Sequence, residues 1–375
     1  MKIARSKSTA FAALAGALAL TLSACQSGPQ GEGANGGETG ATTEGSTSNS
    51  GSGLSGTING SGASSQANAQ QAWRDNFRAL EGGVTVNYEA TGSGTGRQQF
   101  VGGQVAFAGS DAELTDDERT AAAKRCGEVL ELPVYISPIA VAYNLPEVEE
   151  LNLTAENIAD IFSGKIKKWD DPKIAANNKD AKLPSVDVIP VNRADKSGTT
   201  ENFTAYLGAA APKAWADEPA ETWPIEGTQS AEKTSGVVQL AQSVEGAITY
   251  ADASQIGSLK AAHVDVNGEF LAYSPEAAAA LVDGSPVSEH ATDTILTIEL
   301  ARDGSVKDAY PIVMVSYLIG CQKYEDATTA ANVQAYFTYV ASSEGQQVAT
   351  EAGAGNAPIS DELRTKVQAA IDTIN

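Results

Sequence analysis

An α/β fold in two domains follows from three features of the chain. Short apolar strands each end in a Gly/Ser/Thr/Asp cluster ahead of a helical stretch, and a leader and a polar tether are followed by roughly 320 further residues. The third feature is one long apolar run over residues 129–143, interrupted by Ser137-Pro138. Alternating strand and helix signals place a sheet between helical layers, and a chain of this length suggests about two cores. Proline is excluded from central ladders, so the interrupted run marks a crossing between domains.

In chain order, Lys2, Arg5 and Lys7 precede an apolar segment over residues 10–22 and then Ser23-Ala24-Cys25. That segment is too short to span a bilayer comfortably and ends in small residues, so residues 1–24 read as a secretory signal. Cys25 after Leu22-Ser23-Ala24 resembles a bacterial lipoprotein signal. The resemblance implies cleavage before Cys25, acylation of its thiol and attachment to the outer face of the cell membrane. Residues 25–53 hold no large apolar side chain and form no core; as a coil they reach roughly 30 Å.

Residues 54–58 alternate like a strand and run into Asn59-Gly60-Ser61-Gly62-Ala63-Ser64-Ser65, after which residues 66–80 space Ala69, Ala72, Trp73, Phe77 and Leu80 along one helical side. A second strand at 84–88 leads to Thr91-Gly92-Ser93-Gly94-Thr95-Gly96 and a short helix at 97–101. A third at 105–108 ends in Gly109-Ser110-Asp111-Ala112 before a helix at 115–124. Beyond the long strand come helix 155–162, strand 186–191, helices starting near 200 and 236, and strand 247–250. Asn267-Gly268 then signals a hairpin and residues 275–282 a helix; residues 310–319 form a return strand before helices at 328–341, 343–351 and 360–374. In open α/β sheets ligands gather at the carboxyl ends of strands, where four of these polar clusters sit.

The fourth cluster, Arg193-Ala194-Asp195-Lys196-Ser197-Gly198-Thr199-Thr200, has the chemistry of an anion site. A helix start offers backbone N–H groups without intrahelical partners, a glycine permits close approach, and Arg193 supplies a planar fork for two oxygens. An N-cap with a surface arginine is the other reading of the same octet. Asp111 is likewise either a turn or cap residue or an acceptor among donors. Asp195 pairs most naturally with Arg193, Lys165, Lys167 and Lys168 read as a solvated face, and Trp73, Trp169, Trp215 and Trp223 read as packing.

The formal charge is −22, becoming −25 once Lys2, Arg5 and Lys7 leave with the signal. No Lys/Arg-rich stripe stands out, which argues against nucleic acid as a partner. An anionic ligand then depends on short-range hydrogen bonds, since the overall field opposes it and is screened over ~8 Å. Cys126 and Cys321 flank strand-like runs and form a candidate disulfide for an extracytoplasmic chain. His263 and His290 lack metal-ligand partners nearby in sequence, so no metal site is read. Neither a Gly-x-Ser-x-Gly elbow nor a phosphate-cradling Gly-x-x-x-x-Gly-Lys-Ser/Thr loop occurs. A phosphatase-like hydrolase is therefore weakly supported; it stays open, as does a binder of another oxyanion.

Five motifs in this order, Gly60-Ser61-Gly62-Ala63-Ser64-Ser65, Tyr88 through Gly92-Ser93-Gly94, Phe107 to Ala112, Gly164-Lys165-Ile166-Lys167-Lys168-Trp169-Asp170 and Arg193 to Thr199, make the chain resemble the phosphate-binding proteins of bacterial high-affinity phosphate ABC importers, which have the periplasmic-binding-protein fold. The resemblance runs from Leu54 to the C-terminus. It implies two lobes, each a mixed sheet flanked by helices and joined by a two-strand hinge, with residues 54–136 plus 309–375 in lobe 1 and 137–308 in lobe 2. It implies inorganic phosphate held by Ser64, Ser65, Ser93, Asp111, Arg193, Ser197, Gly198 and Thr199. Ser65 would use its backbone N–H, and Asp111 would read a proton on the ligand. A monomeric, non-enzymatic carrier without cofactor is implied, delivering phosphate to permease and ATPase subunits. Many members have an aromatic residue where this chain has Ser65.

Overall fold

The structure, a computed structural model, describes residues 53–375. Strands and helices alternate from the start: β1 (Gly56–Gly62), α1 (Ala67–Leu80), β2 (Val84–Ala90), α2 (Ser93–Val101), β3 (Phe107–Ser110), α3 (Asp116–Cys126) and the long β4 (Val129–Tyr143). The middle of the chain adds β5 (Asn152–Leu153), α4 (Ala155–Phe162), α5 (Pro172–Ala175), β6 (Ile189–Arg193), α6 (Gly198–Ala210), β7 (Gln229–Ala231), α7 (Lys233–Ser243) and β8 (Ala247–Asp252). Then come β9 (Lys260–Ala261), β10 (His263–Val266), β11 (Glu269–Leu271), α8 (Pro275–Asp283), β12 (Val313–Cys321), α9 (Ala327–Ala341), α10 (Ser343–Ala349) and α11 (Asp361–Ile371). The signal, Cys25 and the tether as far as residue 52 lie outside the described residues.

One mixed sheet runs in the order β2-β1-β3-β12-β4-β8-β6-β7, with β9 also on β4. The β4 strand carries it from one half to the other: Val129–Pro138 pairs with β12, and Ile139–Tyr143 pairs with β8. The strand holds two prolines: Pro133 pairs with Tyr317 beside a register shift, and the switch of partner falls at Pro138, after which Ile139 donates its N–H to Ile312 O at 2.7 Å. All fifteen residues of β4 are buried, which is why the run reads as continuously apolar instead of alternating.

Parallel pairs β1–β2, β1–β3 and β6–β8 leave the carboxyl ends of the strands facing the middle of the molecule. The helices that follow them therefore start there. Asn267 at φ 55° and Gly268 at φ 92° make the hairpin turn between β10 and β11. Residues 286–302 lie across β4 and β12, with Leu296 N donating to Glu131 O at 2.9 Å and Ile298 N to Tyr317 Oη at 3.2 Å.

Several boundaries differ from the sequence reading, among them β12 at Val313–Cys321 and α7 from Lys233, and three of the shifts have plain physical reasons. Helix α2 begins at Ser93, four residues early, because its glycines are packing devices: a Cβ on Gly96 would stand 2.4 Å from Gly62 Cα. Strand β6 begins at Ile189, since Val186 and Val188 bond instead to Trp169 and Lys167. Helix α6 begins at Gly198, directly after the Ser197 cap.

The cysteines meet. Cys126 at the end of α3 and Cys321 at the end of β12 are disulfide-bonded across 195 residues of sequence, tying α3 to the strand end that pairs with the start of β4. Trp73 and Trp169 are fully buried and donate to Gly345 O and Gly246 O, while Trp223 packs with Phe162, Phe203 and Tyr250 and Trp215 packs on Trp223. These are core contacts, not stacking platforms. Lys165 and Lys168, both about half exposed, pair with Asp160 and Asp187.

A candidate anion cleft between four helix starts

Four helix N-termini converge between the halves of the sheet. Ser64 and Ser65 precede α1, Ser93 is the first residue of α2, Ser197 caps α6, and Thr234 is the second residue of α7. Each terminus presents N–H groups that have no partner within the helix and the positive end of a helix dipole, so the convergence favours a small anion in spite of the chain's net charge of −22.

The halves are in contact here. Thr234 N donates to Ser64 Oγ at 3.1 Å, and the two hydroxyl oxygens lie 3.0 Å apart. Gln255 Nε2 donates to the carbonyls of Ser64 and Ser65 at 3.0 and 2.8 Å. A Cβ on Gly198 would stand 2.8 Å from Asp111 Cβ, so a glycine is required for the α6 start to approach β3 this closely.

Asp111 is the centre of the arrangement. Ser65 Oγ and Ser316 Oγ donate to its Oδ1 at 2.6 and 2.5 Å, and Thr199 Oγ1 donates to Oδ2 at 3.0 Å. Its backbone N–H donates to Ser93 Oγ at 3.1 Å, and Asn202 Nδ2 donates to its carbonyl at 2.7 Å. Burial pushes its pKa above the ordinary carboxylate value, against the hydroxyl bonds from Ser316, Ser65 and Thr199 and the nearby charge of Arg193, which pull it down. Its acceptor oxygens thus see three alcohols that can rotate toward a ligand.

Arg193, the last residue of β6, grips Asp195 with two bonds, Nε to Oδ1 at 2.7 Å and Nη2 to Oδ2 at 2.5 Å. Lys233 N also donates to Asp195 Oδ1 at 3.0 Å, and the Lys233 φ of 66° turns the chain so that Thr234 N reaches Ser64. Burial raises the Asp195 pKa, but the Arg193 bonds and charge and the Lys233 amide outweigh it, so the carboxyl is held below its usual range. The Arg193 side chain is 2 % exposed, so its charge acts with little screening by water. Tyr250 Oη accepts from Arg193 N at 3.2 Å and bonds Thr200 Oγ1 at 2.8 Å, fixing the β6–α6 turn.

The eight residues picked from sequence, Ser64, Ser65, Ser93, Asp111, Arg193, Ser197, Gly198 and Thr199, are all buried and belong to this one cleft. Ser65 also acts through its side chain, on Asp111, where only its backbone N–H was expected. Sequence reasoning missed Thr234, Gln255 and Ser316. Ser316 was hidden in an apolar strand; Thr234 stood at a helix start with a hydroxyl, a signal that could have been used.

Comparison with known proteins agrees with this architecture. A profile of the PBP superfamily domain matches residues 40–344. Phosphate-binding protein PstS 3 of Mycobacterium tuberculosis is 35% identical over 318 residues, covering 84% of this chain and 85% of the relative. Phosphate-binding protein PstS of Haemophilus influenzae is 31% identical over 280 residues, covering 72% and 80%. Among solved structures, the high affinity periplasmic phosphate-binding protein PfluDING, bound with phosphate, aligns with a TM-score of 0.68 at 22% identity over 84% of this chain and 93% of its own. A phosphate-binding protein from Stenotrophomonas maltophilia aligns with 0.65 at 22% over 84% and 94%, and these two likenesses establish the two-lobed fold. The chain belongs to the PBP superfamily, and within it to the family of PstS phosphate-binding proteins.

Proposed function

We propose that the chain is a solute-binding protein, not an enzyme, that closes on inorganic phosphate between two lobes and hands it to the permease and ATPase subunits of an ABC importer. The observation that carries the reading is the meeting of four helix starts, rich in hydroxyl and N–H groups, with the Asp111 carboxylate and the buried Arg193–Asp195 pair. Phosphate retains at least one proton near neutral pH and can donate to Asp111; sulfate has none. Lobe 1 is residues 54–136 plus 309–375 and lobe 2 is 137–308, with the partner change at Pro138 on the hinge. Phosphate contacts are assigned to Ser64, Ser65, Ser93, Asp111, Arg193, Ser197, Gly198 and Thr199, with the protein a monomer.

Calorimetric titration is expected to show tight one-to-one binding of phosphate and none of sulfate, with no turnover of p-nitrophenyl phosphate. Sulfate, molybdate or a phosphonate binding more tightly than phosphate, or steady release of p-nitrophenol, would replace this reading with another oxyanion binder or a hydrolase.

The finer location follows the leader: the mature protein is anchored outside the cell membrane by a lipid on Cys25 and hangs on the tether of residues 25–53. Fatty-acid labelling in cells is expected to mark the wild type and to vanish in Cys25→Ala, which should be shed from the membrane; equal labelling of both would sink the anchor.

A further inference from the structure

Arg97 lies on α2, outside the set of groups assigned to the ligand, and is 3 % exposed. Its Nη1 donates to Glu221 Oε1 at 2.7 Å and its Nη2 to Glu221 Oε2 at 2.8 Å, a parallel two-bond fork. Nε donates to Glu118 Oε2 at 3.0 Å and Nη1 also to Ser110 Oγ at 3.2 Å. Glu118 is on α3, in the same half of the molecule as Arg97. Glu221 lies between α6 and β7, in the other half.

Both ends of this bridge lead into the cleft. The carbonyl of Glu221 accepts from Ser197 N at 3.0 Å, so the residue gripped by Arg97 also holds the cap of α6. Ser110 immediately precedes Asp111, and its hydroxyl donates to Ala112 O at 2.6 Å, fixing the turn that presents the carboxylate. A single guanidinium therefore ties the strand end bearing Asp111 to the loop bearing Ser197. We propose that Arg97 and Glu221 form a clasp across the cleft, a positioning pair that sets how long phosphate stays bound.

The clasp rests on the phosphate-binding reading, and its logic is one of unequal states. A contact between the halves exists only when they are together, so its free energy biases the closed form and leaves the open form untouched. Glu118 stays with Arg97 when Glu221 departs, so opening does not strand a buried unpaired charge, the usual penalty for breaking such a pair. The lobes can then part, which a carrier requires.

Glu221→Gln keeps the shape of the side chain and removes its charge. The phosphate Kd is expected to rise about tenfold to a hundredfold, the span of a typical coupling between sites, through faster dissociation while the association rate stays within about threefold. Melting of the phosphate-free protein should stay where the wild type has it, because the open form lacks the bridge. Arg97→Lys, which retains charge without the fork, should fall between the two. An unchanged dissociation rate in Glu221→Gln, or a loss of affinity matched by a lowered melting temperature of the phosphate-free protein, would overturn the clasp. Should the wild type itself not bind phosphate, the functional reading fails separately. The same comparison is then made with whichever oxyanion the wild type does bind: faster dissociation of that anion from Glu221→Gln supports the clasp, and an unchanged rate overturns it.

Discussion

Arg193→Ala is expected to weaken phosphate binding by about 3–4 kcal/mol, two to three powers of ten, because it removes a buried charged partner of the anion. The loss has two parts. One is the missing guanidinium; the other is Asp195, whose carboxylate Arg193 now neutralises with bonds of 2.7 and 2.5 Å and which would stay ionised beside the ligand. A second variant, Arg193→Ala with Asp195→Asn, removes that repulsion and should recover part of the affinity, about tenfold by the usual worth of a partly buried charge pair. Asp195→Asn alone leaves Arg193 charged but less firmly aimed, so its effect should be smaller than either. Titrating the three proteins with phosphate checks the order. Near-normal affinity in Arg193→Ala would place the anion elsewhere.

The second large effect is on selectivity. In Asp111→Asn, the amide oxygen can keep the hydroxyls of Ser65 and Ser316, while the amide nitrogen faces Thr199, whose hydroxyl can rotate to accept. The fold around it therefore survives, but the acceptor that sulfate cannot satisfy is gone. Rejection of sulfate, a buried-acceptor mismatch on the order of 10⁴, should largely disappear, whereas phosphate should lose only about tenfold for one charged hydrogen bond. The wild type should show a related pH effect. Burial raises the Asp111 pKa, so acidification protonates the carboxyl at a higher pH than an exposed aspartate and turns it into a donor. Sulfate affinity should therefore rise as pH falls in the wild type and stay flat in Asp111→Asn. Unaltered sulfate rejection by the variant would remove the proton-reading role.

Phosphate release would then be governed by two separate devices: the contacts of Arg193 and Asp111 with the anion, and the Arg97–Glu221 bridge that touches no ligand. Arg193→Ala changes how well the closed cleft holds its cargo; Glu221→Gln changes how often the cleft opens. Their effects should be close to additive, since the two pairs share no hydrogen-bond partner.

Local signals carried far in this chain. Glycine and hydroxyl clusters after apolar runs mark strand-to-helix turns because only those residues tolerate the tight backbone and cap the helix, so the strand ends at Ser64, Ser93, Asp111 and Arg193 were legible from spacing. The proline at 138 marked the crossing because a missing N–H is a local fact with a long-range consequence. What the chain order could not reveal is which turns meet. The pairing of Cys126 with Cys321, of Ser64 with Thr234 and of Arg97 with Glu221 joins residues 195, 170 and 124 positions apart. Such contacts leave no periodic trace, since they depend on how the sheet brings its two halves together. Asp111 shows the division most plainly: its type and turn were readable, but its role as an acceptor ringed by Ser65, Ser316 and Thr199 exists only once β3, β12 and α6 are packed.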